Sequence, residues 1–183
     1  DIEALDVNRV LLDNEKAAEM LVTALLNNGN RNVEMISYNM SLSNIVSREE
    51  GYCKSVEARG LTPVVHKVDY AKIGESMEML MNGMNFENVD ALLFATNSLA
   101  IAGIKALDRL GITIPDRVSI AAFDGSEAFD LYPISIAHIE QPISEFAHQA
   151  LRLVVGEIEN DEEPKRSVIL APNYIAGESA AKR

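Results

Sequence analysis

The stretch DALLFATNSLAIAGIKALDRLGITIPDRVSIAAFD, Asp90 to Asp124, decides the fold. A short run ending at Ala95 is apolar from Ala91 onward and passes into the polar Thr96-Asn97-Ser98. Leu99, Ala102, Ala106, Leu107 and Leu110 then recur at helical spacing until Gly111. A second apolar run, Val118 to Phe123, ends on Asp124. Two strands without polar alternation, joined by an amphipathic helix, describe a βα unit of a parallel sheet covered on both faces.

The same rhythm extends outward in both directions. Upstream, Val7 to Leu12 reads as a strand, and Ala17, Leu21, Ala24 and Leu25 line a helix that Asn28-Gly29 stops. Val33 to Tyr38 is the next strand. Ser47-Arg48-Glu49-Glu50 has the form of a capping box, opening a helix that carries Tyr52, Val56 and Arg59 to Gly60. Val64 to Val68 is a strand, and Met77, Leu80, Met81 and Met84 share a helix face, where methionines serve as core filler.

Downstream, Asp124 to Ser135 is too short for a full crossover helix, so the strand Ile136 to Ile139 is predicted to carry the chain toward another sheet. Gln141-Pro142 opens a helix running through Val155, the acidic stretch Glu159 to Pro164 is a solvated turn, and Val168 to Leu170 and Asn173 to Ile175 form a final strand pair. The expected class is α/β, with two lobes built on parallel sheets and a boundary between Val68 and Ile73. Residues 1–70 and 142–183 then form an incomplete N-terminal lobe that begins upstream of Asp1, and residues 71–141 a C-terminal lobe.

Composition excludes several classes. With 48% hydrophobic and 24% charged residues the chain is an ordinary globular sequence, and no apolar run reaches the roughly 18 residues of a membrane span. A soluble, cytoplasmic protein is expected, without a membrane partner. The net charge of -12, from 28 acidic and 16 basic residues, opposes a polyphosphate partner, and Cys53 alone cannot form an internal disulfide.

Catalytic chemistry finds little support. His66, His138 and His148 lack metal-ligand spacing, and there is no nucleophile elbow, phosphate-binding loop or dinucleotide fingerprint. No catalytic residue, metal or cofactor is assigned, and no enzyme is expected. Binding fares better, because ligands in open α/β sheets gather beyond the carboxyl ends of strands. Thr96-Asn97, Asp124 and Glu140-Gln141 stand at three such ends. A carboxylate beside two amides suits the hydroxyls of a neutral polyol. The alternative for Asn97 is a helix cap, and for Asp124 an Asx-turn with Gly125 and Ser126. Arg48 offers a fork of donors or else lies on the surface, and Tyr70 either stacks on a sugar face or packs at a hinge.

These segments resemble the effector-binding domain of LacI/GalR-type transcription regulators. Ala91 to Ala100, Gly111 to Asp124 with its I-P-D-x-V-S-I-x-x-F-D run, and Ile139-Glu140-Gln141-Pro142 carry the resemblance. So do Leu12-Asp13-Asn14, Gly29-Asn30-Arg31-Asn32-Val33 and Ser47-Arg48-Glu49-Glu50-Gly51-Tyr52. The resemblance implies a periplasmic-binding-protein-like fold and a small-molecule effector of the carbohydrate class held between two lobes. It also implies a homodimer, with DNA contacted only by a helix-turn-helix domain outside this chain. Asp124, Arg48, Asn44 and Tyr70 would touch the ligand, with Thr96, Asn97, Gln141 and Asp13 beside them. Asn97 stands where the family often has Asp, Asn30 where it has His, and the glycine that commonly follows Asp-Asn is missing. An amide at 97 favours a neutral sugar. The rival reading is a periplasmic or receptor-linked sugar-binding protein.

Overall fold

The computed structural model of the chain describes residues 6–159 and 165–181; the expected turn over 159–164 lies almost wholly outside them. Among the described residues eight strands and five α-helices follow one another: β1 (Arg9–Leu12), α1 (Asn14–Asn27), β2 (Val33–Tyr38), α2 (Ser43–Glu57), β3 (Val65–Val68), α3 (Ile73–Gly83), β4 (Ala91–Phe94), α4 (Asn97–Arg109), β5 (Ser119–Phe123), β6 (Ala137–Glu140), α5 (Ile143–Glu159), β7 (Ser167–Leu170) and β8 (Asn173–Ile175). A six-stranded sheet has the order β3-β2-β4-β5-β6-β8, parallel except for β8, which runs antiparallel to β6. A separate parallel pair joins β1 to β7.

The core sits on the two faces of the large sheet. β4 and β5 are buried at every position, as their unbroken apolar runs require. Tyr52 of α2 packs on one face, its hydroxyl 2.8 Å from the Val33 carbonyl and 3.0 Å from that of Val64. Phe94 of β4 meets Gly103 of α4 on the other, where a side-chain carbon would come within 2.4 Å of the ring. The pair α1 and α2 thus covers one face, and α3 with α4 the opposite one. Asp13 caps α1 by accepting from Lys16 N at 2.9 Å, and Gly29, at φ +91°, follows its end. Asn30 is buried and donates to the Leu25 carbonyl at 2.8 Å, a local structural bond.

Four expectations need correction. The division into 1–70 with 142–183 against 71–141 fails, because β2 and β3 lie in the same sheet as β4, β5 and β6, and β8 closes its far edge. Hydrophobic period reveals a strand but not the sheet it joins. The strand after Asp124 does not leave the sheet: β6 pairs with β5, since a compact 3-10 segment, Glu127–Leu131, makes the crossover in place of a helix. The last two strands do not pair with each other but go to different sheets. Finally, α2 begins at Ser43, so Ser47 is inside the helix and no side chain caps its start.

Candidate functional site

Arg48 owes its position to the spacing of α2. Gly51, one turn further along the same helix face, lets α2 press against α1 so closely that a side-chain carbon there would fall 2.6 Å from Glu15 Cα. That crossing sets Arg48 beside the start of α1. The guanidinium is only 3% exposed and lies over the Phe123 ring, 4.4 Å from its centroid. The surface reading of Arg48 is overturned.

Asp124 follows β5 with φ at +63°, a left-handed conformation uncommon for a non-glycine residue. Its carboxylate takes a two-pronged contact from Arg48, Nη1 to Oδ2 at 3.0 Å and Nη2 to Oδ1 at 3.3 Å. Gln141 Nε2, just beyond β6, also donates to Oδ1. Arg48 Nη1 donates in addition to the Ala95 carbonyl at the end of β4 (2.7 Å), and Nε donates to Asn14 Oδ1 (2.8 Å). Three strand ends and two helices thus converge on one ion pair.

The bonding count indicates what the pair can do. Of the five N–H groups of Arg48, four are engaged, leaving one on Nη2 without an acceptor among the described residues. Asp124 Oδ2 keeps acceptor capacity. With its charges neutralised internally, the pair keeps one donor, on Nη2, and one acceptor, on Oδ2, at the two ends of the fork, groups that suit hydroxyls rather than an ion.

The other candidates surround this centre unequally. Thr96, not Asn97, caps α4, accepting from Leu99 N at 3.3 Å, while its hydroxyl donates to Tyr38 Oη at 3.3 Å. Asn97 Nδ2 donates to the Gly125 carbonyl at 3.2 Å, so it buttresses the turn that carries Asp124. Tyr70 is 62% exposed and meets the Tyr38 ring edge-on, centroids 5.3 Å apart. Asp13 and Asn44 do not touch the ion pair; with Asn14, Ser43 and Ser47 they line an adjoining groove of about 370 Å³. Sequence reasoning missed Asn14, Tyr38 and Phe123 as members. Alternation along β5 puts Phe123 on the α2 face, a readable signal, whereas the contacts of Asn14 and Tyr38 depend on elements distant in sequence.

Among the described residues, no cluster of three or more His, Cys, Asp or Glu is arranged to hold a metal, and no helix is long and apolar enough to cross a membrane.

A family model described as a periplasmic binding protein-like domain matches residues 22–180. The probable HTH-type transcriptional regulator EndR of Paenibacillus polymyxa is 25% identical over 166 residues, 88% of this chain and 49% of that protein. The chain therefore spans about half the length of that curated relative. A putative LacI-family transcription repressor from Corynebacterium glutamicum superposes with a TM-score of 0.83 at 28% identity, over 95% of this chain and 67% of the other. A LacI-family regulator from Enterococcus faecium with bound ribose superposes at 0.85 and 16% identity, over 96% and 66% of the two chains, a likeness of fold alone.

Proposed function

Because the chain belongs to the periplasmic binding protein-like domain family, we propose that it is the effector-binding part of a LacI/GalR-type transcriptional regulator. Its effector is a neutral carbohydrate. The observation that carries this reading is the Arg48–Asp124 pair at the strand ends, which keeps one N–H on Nη2 and acceptor capacity on Oδ2 for hydroxyls. Thr96, Asn97, Gln141, Asp13, Asn44 and Tyr70 form the surrounding contacts, with the Tyr70 ring as the apolar platform a pyranose or furanose face needs. A ribose-bound protein of the same fold makes carbohydrates the first class to try.

Control of transcription follows by linkage. A ligand held both by the Arg48 centre and by the β1–β7 side favours one relative arrangement of the two, and a homodimer transmits that preference to helix-turn-helix domains outside these residues. The protein works in the cytoplasm, where its DNA is, and the -12 charge of this chain keeps it from being the DNA-binding surface.

Calorimetry of the chain against neutral pentoses, hexoses and disaccharides tests the proposal. At least one sugar should bind saturably, and Asp124→Asn should weaken it by roughly one to two decades, as loss of a charge-assisted bond does. No binding across the panel, or unchanged affinity in folded Asp124→Asn, overturns it.

A further inference from the structure

The chain passes between the six-stranded sheet and the β1–β7 pair at three junctions: Asp13 between β1 and α1, Gln141-Pro142 between β6 and α5, and Ala171-Pro172 between β7 and β8. Asn14 stands at the first. Its Oδ1 accepts from Arg48 Nε at 2.8 Å while its Nδ2 donates to the carbonyl of Leu12, the last residue of β1, at 3.1 Å. One amide therefore holds the guanidinium with one atom and the end of β1 with the other. The neighbouring Asp13 N donates at 2.9 Å to the carbonyl of Leu170, the last residue of β7, which brings the third junction into the same knot. At the second junction Gln141 holds Asp124, and its own carbonyl accepts from Ile143 N at the start of α5.

We propose that Asn14 and Gln141 are positioning residues that couple the Arg48–Asp124 pair to these junctions. A change in the pair is thereby felt in β1, β7 and α5. An amide suits this task where a carboxylate does not: it accepts from a cation with its oxygen and donates to a backbone carbonyl with its nitrogen at once, so one side chain ties the two together. The wiring exists without ligand. Its meaning as the route by which a sugar shifts the two sheets rests on the function proposed above.

Amide hydrogen exchange of the 183-residue chain, followed residue by residue by NMR without ligand, tests it. Asn14→Ala and Arg48→Lys should each speed exchange at Asp13 and along β1 about tenfold, while β4 and β5 stay as in the wild type. The double variant should be no faster than either single one, because both cut the same link. Asn14→Asp keeps the acceptor and loses the donor, so it should leave the Arg48 Nε–H resonance bonded yet still loosen β1. That variant decides the matter if Arg48→Lys does not fold. Gln141→Leu should loosen Phe146 in the first turn of α5. Unchanged exchange at Asp13 and β1 in Asn14→Ala, additive effects, or equal loosening of β4 and β5 overturns the proposal. Coupling without sugar binding sinks the effector reading alone; sugar binding with independent junctions sinks the wiring alone.

Discussion

The six-stranded sheet and the β1–β7 pair are made from the same kinds of residue, and they are covered to very different degrees. In the large sheet the four residues of β4 and the five of β5 are all buried, and α1 hides Ala17, Ala18, Leu21, Val22 and Leu25. By contrast α5, although as amphipathic in sequence as any helix of the chain, buries no residue; Ile143, Leu151, Val154 and Ile158 remain exposed, Ile158 at 79%. Ile169 of β7 is exposed too. Stability is thus concentrated in one sheet, while α5 and the β1–β7 pair leave several apolar side chains uncovered among the described residues. The difference teaches that amphipathicity specifies a face to be covered and not what covers it.

The largest test of this contrast is a pair of truncations. Leu93→Ala should cost about 3–5 kcal/mol, since it opens a cavity in a fully buried strand, whereas Ile158→Ala should stay within about 0.5 kcal/mol. Urea denaturation of both variants measures the gap, and similar costs would erase the distinction between the regions. Next comes the ion pair at the border of the two. Asp124→Ala strands a guanidinium that is 3% exposed and should destabilise the ligand-free chain by about 3 kcal/mol. The truncation therefore reads stability as well as binding, which is why Asp124→Asn is the better probe of the ligand. An unaltered denaturation midpoint would mean water reaches Arg48.

A smaller, pH-dependent effect belongs to the core alone. Burial pushes the Tyr52 phenol up to about 12, so the fold favours its neutral form. Its contribution is complete below pH 10, where the unfolded chain titrates, and is lost as pH rises toward 12, by about 2–3 kcal/mol in total. Tyr52→Phe should be less stable than wild type at pH 7 by about 1 kcal/mol, through the lost hydroxyl bonds, and the two should converge or cross above pH 10. A constant difference from pH 8 to 11 would count against a buried, bonded phenol. Smallest in stability is the exposed face of α5: Leu151→Lys with Ile158→Lys should leave the melting temperature nearly unchanged but reduce concentration-dependent association in light scattering. If the wild-type chain is monomeric at high micromolar concentration, that face is not sticky under those conditions.

Much of this molecule was legible before any coordinates. Helix and strand positions followed from hydrophobic period, with α1 stopping at Asn28-Gly29 and β2 spanning Val33 to Tyr38 as read. The strand-end rule put Asp124, Thr96, Asn97 and Gln141 near one another, because a parallel sheet brings every strand's carboxyl end to the same edge. Where local signals competed, reading failed. Ser47 to Glu50 imitates a capping box, yet the helix starts at Ser43, because packing of Ile45 and Arg48 against the sheet outweighs a cap worth about 1 kcal/mol.

The sequence by itself determined the elements, the α/β class and the residues at the strand ends, since these depend on spacing within one segment. Only the tertiary structure decided which sheet each strand joins, that Arg48 is buried against Phe123, and that Asn14 and Gln141 bind the ion pair to the junctions. Those facts arise between positions far apart in the chain, 76 residues for Arg48 and Asp124 and 158 for Arg9 and Ser167, and depend on how closely Gly51 lets two helices approach. A contact of that kind has no period along the chain. It exists only once the segments are packed.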